Sequence, residues 1–158
     1  TKEISTSADI LKFIRPVLDR IFSINSNLKV SLSVSPVRHS KEGMVENSLS
    51  KSNLIVLCND LEFLYKEVEY LPIYELVVDE LRDYSFFKQD LVHPNDEAIE
   101  KVWQKLKKGL GSKKFIEFCN QSEQLLLSLK HKPLYPKSTQ NQLFQKKMLT
   151  SVVEHEKK

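Results

Sequence analysis

Apolar residues recur at helical spacing over residues 7–24, where Ile10, Ile14, Val17, Leu18 and Ile21 form one stripe and Ser7 can cap the start. Pro16 falls inside that stripe and predicts a kink or break near Arg15. The pattern then changes period. Over Lys29–Ser35, Val30, Leu32 and Val34 alternate with three serines, which predicts a strand covered closely on both faces. Pro36 stops it, and a polar loop is expected through Gly43 to about Ser50. Leu54, Leu57, Cys58, Leu61, Leu64 and Tyr65 mark a second helix ending near Lys66, and Val68–Leu71 reads as a second strand before Pro72.

Strand, helix, strand is a βαβ unit, whose crossover makes a parallel, buried pair. Two strands alone make a marginal sheet. No further strand pattern follows Leu71, so the remaining strands are expected before Thr1 or from another chain. Residues 73–84 fit either a helix or an irregular loop. The best helix opens at Pro94, with Asp96, Glu97 and Glu100 near its start and Lys101, Lys105, Lys107 and Lys108 toward its end. Gly109 and Gly111 supply the stop, and Ile99, Val102, Trp103, Leu106 and Leu110 are expected to face inward. Two more helices are expected over about Ser112–Lys130 and Ser138–Glu154, divided by Pro133 and Pro136.

Composition narrows the chemistry. With 41% hydrophobic and 28% charged residues in 158, the chain is globular and about one domain long. Its three glycines, Gly43, Gly109 and Gly111, form no phosphate-cradling loop. No apolar run approaches the roughly eighteen residues of a membrane span. Cys58 and Cys119 lie too far apart for a zinc ribbon and read as small core residues in a reducing, cytoplasmic setting. Thr1 rather than Met at the first position fits a numbering that begins inside a longer polypeptide, so a missing signal peptide says little about destination.

The net charge of +3 is unevenly spread: residues 1–100 hold 11 Lys/Arg against 17 Asp/Glu, residues 101–158 hold 13 against 4. A basic last third suits a solvated set of helix faces or an anionic partner. Its aromatics do not interleave with the basic residues as a base-stacking groove requires, so nucleic acid is not expected as a partner, and without a spanning apolar run neither is a membrane.

Of the four histidines, His39, His93, His131 and His155, no two have metal-ligand spacing on a helix, and no cofactor is expected. Only His93 has a carboxylate three residues upstream, Asp90. A loop turning into a helix brings such positions together. The carboxylate can then accept from one ring nitrogen and leave the other to take a proton from a nucleophile. The same spacing also arises by chance, and a His before a helix-starting Pro can simply cap the helix.

Three segments bear on these readings: Ser33-Val34-Ser35-Pro36-Val37-Arg38-His39, Glu46–Leu54, and Tyr70-Leu71-Pro72-Ile73-Tyr74-Glu75-Leu76 running on to Asp90-Leu91-Val92-His93-Pro94. In order and spacing they resemble the GSCFA-domain family, grouped with the SGNH/GDSL-like hydrolases, from about residue 28 to residue 106. The resemblance implies the C-terminal portion of a three-layer α/β/α sandwich with parallel strands over residues 1–110, followed by a helical extension over 111–158. It also implies a Ser–His–Asp esterase acting on a small acyl ester or O-acetyl group. His93 would be general base, then general acid, and Asp90 would orient it.

The Gly-Ser-Cys-Phe-Ala stretch that carries the family's nucleophile is absent here. Gly111-Ser112 is the only Gly-Ser pair, and it reads as a helix stop and cap. The nucleophile and oxyanion hole are therefore expected upstream, and these residues alone are expected to be inactive. Arg38, just past a strand's C-terminal end, is a candidate substrate-edge residue. Arg82 and Asp83 read as a charged structural clamp. Ser35 and Ser50 have no base assigned by spacing. Transfer of the acyl group to an alcohol would use the same residues. The alternative function is a non-catalytic helical module whose basic last third binds a partner or nucleic acid in a salt-sensitive way.

Overall fold

In the computed structural model, residues 4–130 and 132–156 are described; Thr1 and His131 lie outside them. The chain is mostly helical with one small parallel sheet. It divides into two compact units, Thr1–Val102 and Trp103–Lys158.

The first unit opens with α1 (Ser7–Ile24), capped by Thr6 rather than Ser7: the Thr6 Oγ1 accepts from the Asp9 backbone N–H at 3.2 Å. The helix runs unbroken through Pro16, so the expected break near Arg15 does not occur. Proline removes one N–H donor, and tertiary packing offsets that loss. Ile10, Leu11, Ile14, Leu18 and Phe22 pack into a core with Leu54, Leu57 and Leu61 from α2 (Met44–Leu64) and with Val30, Leu32 and Val68 from the two strands. Val17, expected in the buried stripe, is 55% exposed, because the covered face is rotated toward Leu11 and Phe22.

The strands β1 (Val30–Leu32) and β2 (Val68–Tyr70) pair in parallel, with Val30 opposite Val68 and Leu32 opposite Tyr70, and α2 forms the crossover. The βαβ unit is as expected, but β1 is shorter than Lys29–Ser35. Past Leu32 the backbone bonds to α2 instead of a strand: the Ser35 carbonyl accepts from Lys51 and the His39 N–H donates to Asn47. Ser31, Ser33 and Ser35 are exposed, so the serine face is not covered.

Helix α2 starts at Met44, well before the expected Ser50. Gly43 turns the chain with φ +106°, and its carbonyl accepts from the Asn47 N–H at 3.0 Å. Buried Asn47 and Lys51 interrupt the apolar period until Leu54, which is why this stretch reads as a polar loop.

After β2 come α3 (Ile73–Glu75), a π-helical turn Leu76–Glu80 and a 3₁₀ turn Tyr84–Phe86. Helix α4 (Asp96–Leu110) is capped by Asn95, whose Oδ1 accepts from the Ala98 N–H. Pro94 is therefore not the first helical residue. It bridges Phe87 in antiparallel fashion, and the Asn95 N–H bonds the Phe86 carbonyl. Gly109 lies inside the helix and Gly111 follows it. Ile99, Trp103 and Leu110 are exposed rather than inward, whereas Ala98 is buried.

In the second unit α5 (Lys113–Lys130) and α6 (Thr139–Glu156) pack together, with Ser112 and Ser138 accepting from the Phe115 and Asn141 N–H groups as caps. Lys107, only 3% exposed, donates to Asn120 and to both Glu123 oxygens, and the Trp103 indole N–H donates to the same carboxylate at 2.8 Å. Cys58 and Cys119 are buried thiols. Among the described residues no helix is long and apolar enough to cross a membrane.

Candidate active site

The loop Lys88–His93 is closed at its neck and shaped by its own acid. The Lys88 N–H donates to the His93 carbonyl at 2.8 Å, one rung beyond the Phe87–Pro94 bridge. Inside the loop, Asp90 Oδ1 accepts from the backbone N–H groups of Val92 (2.9 Å) and His93 (3.0 Å). Asp90 Oδ2 lies 2.7 Å from His93 Nδ1. The His93 and Val92 backbone N–H groups and the His93 ring together hold the Asp90 carboxyl down at about 2. It is thus an anion across the physiological range.

With Nδ1 donating to that anion, the neutral imidazole keeps its lone pair on Nε2. The His93 side chain is 53% exposed, and among the described residues Nε2 has no hydrogen-bond partner. This is the arrangement a general base requires: one nitrogen oriented, the other able to receive a proton.

Leu91 sits at φ +53°, a left-handed conformation that costs a non-glycine residue about 1–2 kcal/mol. It is held from both sides. Its N–H donates to the Lys88 carbonyl, and its carbonyl accepts from the Arg38 guanidinium at 3.1 Å. The Arg38 backbone N–H also donates to the Val92 carbonyl, and the guanidinium lies over the Phe87 ring at 4.3 Å and the Tyr84 ring at 5.3 Å. The structure thus brings Arg38 to the Asp90–His93 loop, where its observed contacts brace that loop.

Arg82 and Asp83 do not form a clamp with each other. Arg82 makes an exposed, long ion pair with Asp79 at 3.8 Å, and Asp83 caps the turn at Tyr84 by accepting from the Ser85 N–H. The Ser35 hydroxyl accepts from the Val37 N–H. No described serine is hydrogen-bonded to His93. Sequence reasoning missed Asn47 and Lys51, the buried polar side chains of α2 that hold residues 35–39. Their one signal is a polar pair four apart within a segment of family-like spacing.

A Ser–His contact does occur in the second unit, where Ser122 Oγ lies 2.6 Å from His155 Nε2. Its chemistry differs. The Ser122 hydroxyl donates to the Phe118 carbonyl at 2.9 Å, so the histidine must be the donor to Ser122. The His155 Nδ1 is buried with no partner, and the Phe118 ring stacks on the imidazole. With no acid behind the ring among the described residues and the serine proton already engaged, this pair ties α6 to α5. Among the described residues no group of three His, Cys, Asp or Glu could hold a metal ion.

Neither the curated proteins nor the solved structures contain a match to this chain. A family model does match. It describes the GSCFA family and covers residues 1–106, so it takes in α1 as well as the family-like segments from residue 28 onward. The site loop, the Arg38 segment and the first part of α2 all fall inside that match, and on it the chain belongs to the GSCFA family.

Proposed function

We propose that Asp90 and His93 are the orienting acid and general base of an SGNH-type serine esterase that hydrolyses a small acyl ester or O-acetyl group. In this reading the serine nucleophile and the oxyanion hole come from a segment outside these 158 residues. The observation that carries it is the 2.7 Å contact between Asp90 Oδ2 and His93 Nδ1, made by a carboxylate already fixed by two backbone N–H groups.

The chemistry follows from that contact. Nε2 takes the serine proton as Oγ attacks the acyl carbon. The imidazolium that forms is stabilised by Asp90, then gives its proton to the departing alkoxide and leaves an acyl-enzyme. Water repeats the sequence, and the acid and regenerated serine are released. Positioned general-base catalysis of this kind contributes about 10²–10⁴-fold.

Two features support a larger sandwich around this site. Among the described residues the sheet has two strands, which is marginal by itself. Both flanking helices also carry a second, exposed apolar stripe: Phe13, Val17 and Ile24 on α1, and Val45, Leu49, Val56 and Phe63 on α2. Further strands and helices packed there would cover them.

The test is covalent labelling. A longer polypeptide that includes the family's N-terminal segment is treated with a fluorophosphonate ester, and the modified residue is mapped by mass spectrometry. Labelling of a serine N-terminal to these residues, much slowed in His93→Ala, is expected. Absence of labelling, with salt-sensitive retention on heparin instead, would overturn the reading in favour of a binding module.

A further inference from the structure

Lys51 is 2% exposed, and its ammonium donates to the Ser35 carbonyl at 2.6 Å. Burial pulls its basicity below the ordinary lysine range, the sign of a charge the fold accommodates at a cost. A methionine of similar length would fill the same space without that cost. What an apolar residue cannot supply is a donor for the Ser35 carbonyl. One turn earlier on the same face, Asn47 accepts from the His39 N–H at 2.9 Å. The pair therefore grips residues 35–39 at both ends, and Arg38 lies between the grips.

Arg38 carries that restraint to the next loop. Its backbone N–H bonds the Val92 carbonyl and its guanidinium bonds the Leu91 carbonyl, the two residues that lie between Asp90 and the His93 it holds. We propose that Lys51 is a positioning residue for the Asp90–His93 pair, acting through the Ser35 carbonyl and Arg38. The catalytic part of this inference rests on the esterase reading; the mechanical part does not.

The experiment therefore has two readouts. Backbone amide hydrogen exchange is followed in the 158-residue chain for the unaltered protein, Lys51→Met and Arg38→Lys. Arg38→Lys keeps the charge but loses the planar fork and the flat stacking. Exchange at Arg38, Val92 and His93 is expected to be about tenfold faster in both variants, with the amides around Leu61 unchanged. The double variant is expected to be no looser than the looser single one, because both act in one relay. In the longer, ester-hydrolysing polypeptide, Lys51→Met is expected to lower kcat about tenfold with KM unchanged.

Unaltered exchange at Val92 and His93 in both single variants would overturn the proposal. Faster exchange with a kcat equal to that of the unaltered enzyme would overturn its catalytic part. A lack of ester hydrolysis by the unaltered polypeptide would instead count against the esterase reading, leaving exchange to decide the brace.

Discussion

Arg38 and Leu91 are 53 positions apart, yet the guanidinium of one donates to the carbonyl of the other at 3.1 Å. That bond joins two of the three segments on which the family resemblance rests. Asn47 and Lys51 of α2 hold residues 35–39, Arg38 holds the Lys88–His93 loop, and Asp90 holds the ring of His93. Three stretches that look separate along the chain are one hydrogen-bonded assembly. Its outermost member is a half-exposed imidazole with one nitrogen oriented.

The pH dependence of this loop follows from its acid. Asp90 ionises at about 2 in the folded chain, well below its ordinary value of 3.8. A depressed carboxyl stabilises the fold fully above the ordinary value, and that contribution is lost as pH falls toward the folded one. The stability gap between the unaltered protein and Asp90→Asn should be constant at neutral pH and shrink between about 4 and 2. Denaturant unfolding at a series of pH values measures it. A gap that persists unchanged at pH 2 would show that the carboxylate is not what holds the loop.

The turn into α2 depends on glycine. Gly43 combines φ +106° with ψ 158°, a region essentially confined to glycine. Gly43→Ala should therefore destabilise by about 1–3 kcal/mol. Gly109, inside α4 and with open space where a Cβ would sit, provides the contrast. Gly109→Ala should stabilise by about 0.5–1 kcal/mol. Thermal or denaturant melts of the two variants should move in opposite directions.

Trp103 is the chain's single tryptophan and reports directly on Glu123. The Trp103 indole N–H, then the Lys107 ammonium, hold the Glu123 carboxyl below its ordinary 4.5. Acidification should change tryptophan emission with a midpoint below 4.5, and Glu123→Gln should remove the transition. A midpoint at or above 4.5 would mean that this bond does not persist in solution.

The legible parts of the fold were those with local or periodic causes. The alternation of Val30 and Leu32, the crossover helix and the charge gradient along α4 all appear as expected. Asp90 and His93 are three positions apart, so their contact is written into the spacing. The start of α2 was hidden because Gly43 turns the chain by backbone conformation and because Asn47 and Lys51 bury polar atoms where the helical pattern demands apolar ones. Val17, Ile99 and Leu110 fit an inward stripe yet are exposed, because periodicity marks a stripe without saying which neighbour covers it. The bonds from Lys51 to Ser35 and from Arg38 to Leu91 join distant positions and leave no periodic trace.

The decisive measurement is kcat/KM for hydrolysis of a short-chain aryl ester by the polypeptide that includes the family's N-terminal segment, before and after His93→Ala. If His93 is the general base, the substitution should lower kcat/KM by several orders of magnitude, about 10³-fold or more, with the melting temperature nearly unchanged. Equal turnover in a folded His93→Ala protein would contradict the assignment of His93 as the base.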